Sequence, residues 1–271
     1  MNTAAKRQAF RRLHQSGCFV IPNPWDIGSA RLLQQMGFKA LATTSSGCAW
    51  SRGRADGRLS REEALAHLRE IVAATDLPVN ADFESGFAAD AEGVAQSVRL
   101  ALDTGIAALS IEDATGDPAN PVRDLGDAVA RVRAARRAID AAGGDAMLVG
   151  RAENFFLGRP DLADTIARLK AYSAAGADCL YAPGLRTRED IAAVVAAVAP
   201  KPFNLLVGSP GLSLAEIAAL GVRRVSVGGA LARAAWGGFM RAARGIAEEG
   251  HFGGFAGALP YAELNDHFSD A

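Results

Sequence analysis

The fold class this sequence predicts is α/β: eight parallel strands alternating with helices, closed into a (β/α)8 TIM barrel. Three observations predict it. A phrase made of a helix end, a glycine and an apolar strand recurs at Met36-Gly37-Phe38, Thr104-Gly105-Ile106, Ala175-Gly176-Ala177 and Leu220-Gly221-Val222. Glycine suits the helix C-terminus because the left-handed conformation found there is free of a Cβ clash. The apolar runs are short and barely alternate, as strands buried on both faces require. Eight such units fit the 271 residues, which is the usual size of this barrel. The competing open, doubly wound sheet would carry a glycine-rich turn after its first strand, where this chain has Pro22-Asn23-Pro24-Trp25-Asp26.

In chain order, a short helix over residues 4–15 precedes strands near 18–22, 39–43, 78–82, 106–112, 146–151, 178–182, 202–206 and 223–228. Helices follow them near 26–36, 60–74, 90–104, 124–142, 160–175, 187–199, 213–220 and 229–249. Ser60 with Glu63 and Ser213 with Glu216 have capping-box spacing, and Asp90 and Thr187 are N-cap residues. No linker divides the chain, so residues 1–271 read as one domain with a C-terminal extension over 250–271.

Composition excludes several function classes. A net charge of −1 offers no electrostatic footprint for nucleic acid or an anionic membrane. No apolar stretch approaches the roughly 20 residues that span a bilayer, and Met1 to Gln8 lacks a signal-peptide apolar core. Cys18, Cys48 and Cys179 are too few and too scattered for a disulfide framework. The expectation is a soluble, cytoplasmic protein.

In such barrels chemistry gathers at the C-terminal strand ends. Those ends supply Asn23 and Asp26, then Thr43 to Gly47, Asp82 and Glu84, Glu112 and Asp113, Arg151, Glu153 and Asn154, and Asn204. Asp56 lies in the loop after the second strand. Carboxylates are costly to bury unpaired, so this many acids call for a cation or a proton donor. An oxygen-rich set suits Mg2+, with Mn2+ as the alternative. Lys6, Lys39, Lys170 and Lys201 avoid the strand ends, which argues against Schiff-base chemistry. His14, His67, His251 and His267 fall on helices or in the tail, which argues against a histidine-ligated zinc or a histidine base.

Structural explanations compete with each assignment. Asp82 and Glu112 would serve equally as ion-pair partners of Arg151, which is either a carboxylate clamp or a structural cation. Ser45-Ser46-Gly47 is either an anion nest of backbone N–H groups or an ordinary turn. Cys48 is a small buried filler in the absence of a partner base. Gly228-Gly229 marks either a phosphate site or tight packing against the last helix.

The segments Asn23-Pro24-Trp25-Asp26, Thr44-Ser45-Ser46-Gly47, Asp56-Gly57, Asp82-Phe83-Glu84-Ser85-Gly86-Phe87, Ile111-Glu112-Asp113 and Arg151-Ala152-Glu153 together resemble the isocitrate lyase/phosphoenolpyruvate mutase superfamily. The resemblance implies a Mg2+-dependent enzyme that breaks C–C or P–C bonds beside an α-oxo acid, on a barrel whose last helix is swapped between subunits. It implies that Asp82, Glu84, Glu112 and Asp56 hold the metal, mainly through water. Thr44, Ser45, Ser46, Gly47 and Asn204 would bind the substrate, and Arg151 would balance its charge. Two departures stand out. The loop Ala114 to Arg123 has neither the lysines nor the cysteine of the lyase members' acid loop, and Glu84 replaces an aspartate more usual in mutases.

The resulting expectation is C–C cleavage of an oxaloacetate-type or 2-methylisocitrate-type substrate through an enolpyruvate-like intermediate. P–C chemistry on phosphonopyruvate or phosphoenolpyruvate is the alternative, and a non-catalytic α-oxo acid sensor is a third. The apolar side chains of residues 229–249 and of Phe252, Phe255, Leu259, Tyr261, Leu264 and Phe268 predict a homodimer or homotetramer.

Overall fold

A computed structural model describes residues 1–269. Its helices begin where the polar caps lie. Asp26 with Ser29, Ser60 with Glu63 and Ser213 with Glu216 close reciprocal capping boxes, while Asp90 and Thr187 each accept a backbone N–H two or three positions inside their helices. Gly37, Gly105, Gly176 and Gly221, the glycines of the recurring phrase, sit at φ between 85° and 105°. These ends give α1 (Thr3–Leu13), β1 (Phe19–Ile21), α2 (Ile27–Gln35), β2 (Leu41–Ala42), α3 (Ser45–Ser51), α4 (Arg61–Ala74), β3 (Val79–Asp82), α5 (Ala91–Leu102), β4 (Ala108–Glu112) and α6 (Leu125–Ala141). There follow β5 (Met147–Arg151), α7 (Leu162–Ala174), β6 (Cys179–Tyr181), α8 (Arg188–Val198), β7 (Phe203–Leu206), α9 (Leu214–Ala219) and β8 (Arg224–Ser226).

The eight strands form one parallel sheet in the order β1-β8-β7-β6-β5-β4-β3-β2. The remaining seam, between β1 and β2, is stitched where Ala42 N–H donates to Pro22 O at 3.0 Å. Asn23 reinforces it. Its amide nitrogen donates to Thr43 O at 2.9 Å, and its oxygen accepts from the N–H groups of Val227 and Gly228, so one buried side chain ties the ends of β1, β2 and β8. The predicted (β/α)8 barrel is the observed architecture.

Helix α1 plugs the N-terminal mouth. Phe10 is fully buried among Ile21, Ala40, Ala108, Met147 and Val149 inside the barrel. Lys6 Nζ donates to Thr75 O, Arg7 Nε to Ile106 O, and Arg11 Nε to Asp145 O, which satisfies carbonyls just before β3, β4 and β5. Between strands and outer helices lies the larger apolar layer, including Phe83, Leu109, Ile111, Val132, Leu148, Leu169, Tyr172 and Val194.

Two differences from the sequence reading bear on the site. Residues 45–51 were expected as a loop and instead form α3, with Thr44 as N-cap. Gly229 was expected to pack on the last helix if it was not a phosphate site. A Cβ there would approach Ser46 Oγ to 2.8 Å and Trp50 to 3.0 Å, so it is α3 that demands glycine. By its internal contacts the chain forms two compact units, Met1–Gly229, which holds all eight strands, and the residues from Ala230 onward. The second unit contains α10 (Ala230–Glu249), a 3-10 turn (Gly253–Gly257) and α11 (Tyr261–Asp266). The last two residues of the expected extension lie outside the described residues. Among the described residues no helix is long and apolar enough to cross a membrane.

Since Phe10 is wholly enclosed, Phe10→Ala is expected to lower stability by about 3–5 kcal/mol, read as a reduced denaturation midpoint. An unchanged midpoint would show that α1 is dispensable to the barrel.

Candidate active site

Successive residues at a strand end face opposite sides of the sheet, and this alternation sorts the acids. At the end of β4, Glu112 turns inward and forms an ion pair with Arg151 Nη1 at 3.1 Å. Asp113 turns outward and is 1% exposed. Its carboxylate accepts from Glu153 N–H at 2.8 Å, Arg168 Nη1 at 3.1 Å and Tyr172 Oη at 2.6 Å. Asp113 therefore fixes the turn after β5 against α7 and takes no part in the mouth. Likewise Asp82 faces inward while Phe83 is buried in the outer layer.

Arg151, the last residue of β5, is the hub. Its Nη1 lies 3.1 Å from both Asp82 Oδ1 and Glu112 Oε2, and its Nε pairs with Glu153. The Tyr181 ring, one strand over, stands 5.0 Å below the guanidinium carbon. Asp82 Oδ2 accepts from Ser45 N–H at 3.0 Å, and Ser45 Oγ donates to Asp56 Oδ1 at 3.1 Å. The expected metal ligands Asp82 and Glu112 thus both pair with Arg151. Acids this close need a counter-charge when buried, and the guanidinium is the one the chain supplies.

Glu84 stands apart from that network. Its backbone has φ 46°, a left-handed conformation rare for a residue with a side chain, and its carbonyl is pinned by Glu112 N–H at 3.0 Å. Its buried Oε1 has no hydrogen-bond partner. Burial, reinforced by the charges of Asp82 and Asp56, pushes its carboxyl up to about 8. Asp56 is raised as well, by crowding of surrounding protein and then by Asp82, although its surface keeps contact with solvent. Glu112 is driven well up by burial, against the pull of Arg151.

Asp82, Glu112 and Glu153 thus share one guanidinium, Asp56 and Glu84 lie close enough to Asp82 to feel its charge, and the orphaned Glu84 oxygen marks where positive charge is lacking. This donor set fits a hard divalent ion. Among the described residues no three of His, Cys, Asp and Glu stand close enough to hold a metal directly. The fit is to an ion that keeps most of its waters, as Mg2+ does.

The expected substrate-binding residues separate. Thr44, Ser45, Ser46 and Gly47 open α3 beside Asp82, yet two N–H groups of the expected nest are already taken, Ser45 N–H by Asp82 and Gly47 N–H by Thr44 Oγ1. Thr44 Oγ1 also lies 3.0 Å from Ser46 Oγ. Asn204 is not brought to this group. It is fully buried inside the barrel, donating to Ser226 Oγ at 3.0 Å and accepting from Arg224 Nε at 2.8 Å. Register explains the displacement. Glu112 pairs with Arg151, Arg151 with Tyr181, Tyr181 with Asn204 and Asn204 with Arg224, a row that begins at the last residue of β4 and reaches the first of β8. Strand tilt carries one row from the mouth to the interior.

Glu153 and Tyr181 are the contributors to which the sequence reading gave no role. Tyr181 ends the run Cys179-Leu180-Tyr181 just as Arg151 ends its own strand, and that position was the available signal. The loop over residues 114–123 folds onto itself. Ala114 bridges Val122, Thr115 N–H donates to Pro121 O, and Arg123 N–H returns to Asp113 O.

Tyr172→Phe deletes one of three donors to the buried Asp113 carboxylate. The expected cost is about 1.5–3 kcal/mol, measured by chemical denaturation. A change within error would mean that Arg168 and the Glu153 N–H suffice.

A family model described as phosphoenolpyruvate phosphomutase matches residues 10–247 of this chain. The crystal structure of a candidate lyase/mutase from Burkholderia cenocepacia J2315 is 49% identical, with 98% of this chain and 97% of that one covered at a TM-score of 0.95. The oxaloacetate decarboxylase of Paraburkholderia xenovorans (strain LB400) is 31% identical over 234 residues, spanning 82% of this chain and 75% of that protein. The structure of oxaloacetate acetylhydrolase in complex with its product oxalate is 25% identical, with 98% and 95% covered at a TM-score of 0.86.

Proposed function

The chain belongs to the phosphoenolpyruvate phosphomutase family, within the phosphoenolpyruvate mutase/isocitrate lyase superfamily, and we propose that it is a Mg2+-dependent lyase that cleaves the C–C bond beside an α-oxo acid of the oxaloacetate type. The observation that carries this reading is the cluster of acids at the mouth, of which Asp82, Glu112 and Glu153 pair with Arg151 while Glu84 keeps a buried oxygen without a partner. The similarity to oxaloacetate decarboxylase and oxaloacetate acetylhydrolase supports the substrate class.

Asp82, Glu84, Asp56 and Glu112 would hold the ion, mainly through its waters, and the ion would supply Lewis acidity toward a carboxylate and its adjacent carbonyl when bound. Arg151 spends Nε and Nη1 on Glu153, Asp82 and Glu112, which leaves Nη2 to meet an anionic substrate. As the bond to a departing carboxylate breaks, its electron pair moves toward the α-oxo oxygen, and a fixed guanidinium offsets the charge that develops there. Such a reaction needs no base to begin, which suits a mouth without histidine or lysine. The hydroxyls of Thr44, Ser45 and Ser46 supply hydrogen bonds beside Asp82.

Turnover of oxaloacetate with Mg2+, abolished by EDTA and restored by Mg2+ or Mn2+, is the expected result in a steady-state screen. Arg151→Lys is expected to lower kcat/KM about 100-fold, because an ammonium cannot serve three carboxylates and a ligand at once. The family model's description favours P–C chemistry as the second reading. Phosphate released from phosphonopyruvate would select it. Thermal stabilisation by oxaloacetate without product would select a sensor, and indifference to oxaloacetate, 2-methylisocitrate and phosphonopyruvate would refute all three.

The same reading extends to assembly. Phe239, Phe252 and Tyr261 are 61%, 63% and 83% exposed, and Trp236, Met240, Phe255 and Leu259 are exposed as well. Apolar surface of this extent in the C-terminal unit points to a second copy of the chain. Light scattering is expected to give a dimer or tetramer, and a monomeric mass would refute it.

A further inference from the structure

Behind the acids lies a second feature that the reaction just described does not use. A small cavity of about 10 Å³ lies between Thr43, Thr44, Ser45, His67, Asp82 and Glu84, with Cys48 and apolar side chains completing its wall. That volume is the room of a single water molecule. Two of the lining residues carry buried polar atoms without a partner, Glu84 Oε1 and His67 Nε2. A buried donor or acceptor left unsatisfied costs about 1–3 kcal/mol, and folded proteins avoid that cost with internal water.

We propose that His67 is a positioning residue for Glu84, acting through one ordered water molecule held between His67 Nε2 and Glu84 Oε1. The inference rests on the metal-dependent reading of the site, because what the water fixes is the direction in which Glu84 presents its other oxygen to the acids.

Placement of the imidazole follows from the helix that carries it. Ala64, Leu65, Leu68 and Ile71 put the apolar face of α4 against the barrel, and His67 falls on that face with 4% exposure. Burial, with the Arg52 charge as the next cause, lowers its pKa to about 4. The ring is therefore neutral at pH 7, and Nε2 either donates to or accepts from water according to its tautomer. On the other side of the cavity, the Glu84 backbone is already fixed at φ 46° and by the Glu112 N–H bond to its carbonyl. Only the side-chain torsions are left, and a hydrogen bond to one oxygen orients both. His14 is the contrasting case. Its Nε2 is also unpartnered, but Nδ1 bonds Phe10 O at 2.8 Å and the ring is wedged edge-on between Phe10 and Phe19, away from any carboxylate of the mouth.

Three measurements on the full chain test the proposal. A crystal structure of the wild type is expected to show a water within about 3 Å of both His67 Nε2 and a Glu84 oxygen. In Mn2+ titrations followed by electron paramagnetic resonance, His67→Leu is expected to weaken binding at least about 10-fold, the usual effect of losing an outer partner of a metal ligand. His67→Gln, which keeps a polar group facing the water, is expected to recover most of that loss. A packing role alone would move the melting temperature of both variants and leave Mn2+ affinity alone. A dry cavity, or His67→Leu binding Mn2+ like the wild type, would overturn the proposal while sparing the proposed function. Failure of the wild type itself to bind Mn2+ would overturn both. Should His67→Leu not fold, His67→Met takes its place under the same criteria, and the absence of the water by itself rejects the positioning role.

Discussion

Arg151 and the three carboxylates it holds set the conditions for everything else at the mouth of this barrel. A guanidinium withdrawn from water is tolerable only with several well-placed acceptors, and Asp82, Glu112 and Glu153 provide them from the ends of two neighbouring strands and the turn that follows the arginine. The dependence runs both ways. Remove the arginine and the half-buried Glu112, already pushed toward its protonated form, loses the charge that holds it ionised; remove an acid and the arginine loses a partner. Tyr181 presents its ring face to the cation from β6, a contact that holds the guanidinium in plane while leaving its remaining edge uncommitted.

That network presupposes a barrel closed accurately enough to place residues from separate strands within hydrogen-bond reach. Closure is weakest between β1 and β2, where regular pairing is absent, and there Asn23 substitutes a side chain for the missing ladder. Behind the mouth, the polar layer of Asn80, Asn204, Arg224 and Ser226 ties β3, β7 and β8 together across the interior. Arg224 is buried with amide oxygens as its described acceptors, so its hydrogen bonds specify one arrangement of strands in a way an apolar filling would not. Asp113 does the same on the outer side, where one donor from the turn after β5 and two from α7 lock the segment that carries Glu153.

What the sequence made legible, and what it did not, follows from the range of the interactions involved. Helix starts at Ser60 and Ser213 and the glycines at 37, 105, 176 and 221 are local signals, and the alternation of eight units could be read from them directly. Local signals also put Asp82, Glu112 and Arg151 at strand ends. Whether Arg151 would clamp a ligand or pair with the acids was open, because charge balance depends on distances that spacing does not encode. Asn204 was misplaced for a similar reason: its height in the barrel depends on the register of β4 through β8, summed over four pairings. The α3 segment Ser45-Ser46-Gly47-Cys48-Ala49-Trp50-Ser51 has the small polar residues and glycine of a turn, and packing against Gly229 overrides that local preference. His67 read only as a histidine on a helix, since a missing hydrogen-bond partner has no sequence signature.

The backbone of Glu84 gives a last reason to regard this mouth as built for a ligand. A left-handed conformation costs roughly 1–2 kcal/mol for a residue with a Cβ, and glycine would adopt it freely, as Gly86 does two residues later. A glutamate held there, with one oxygen buried and unbonded next to two further acids, adds electrostatic cost to conformational cost. Neither contributes to folding. The electrostatic cost is relieved if the carboxylate meets a cation on one side and a polar partner on the other, and backbone strain of this kind gathers where geometry has to be fixed before a ligand arrives. The position thus joins the two halves of the site: Arg151 neutralises the acids that the barrel can satisfy by itself, and Glu84 is the acid it leaves in need of something from outside.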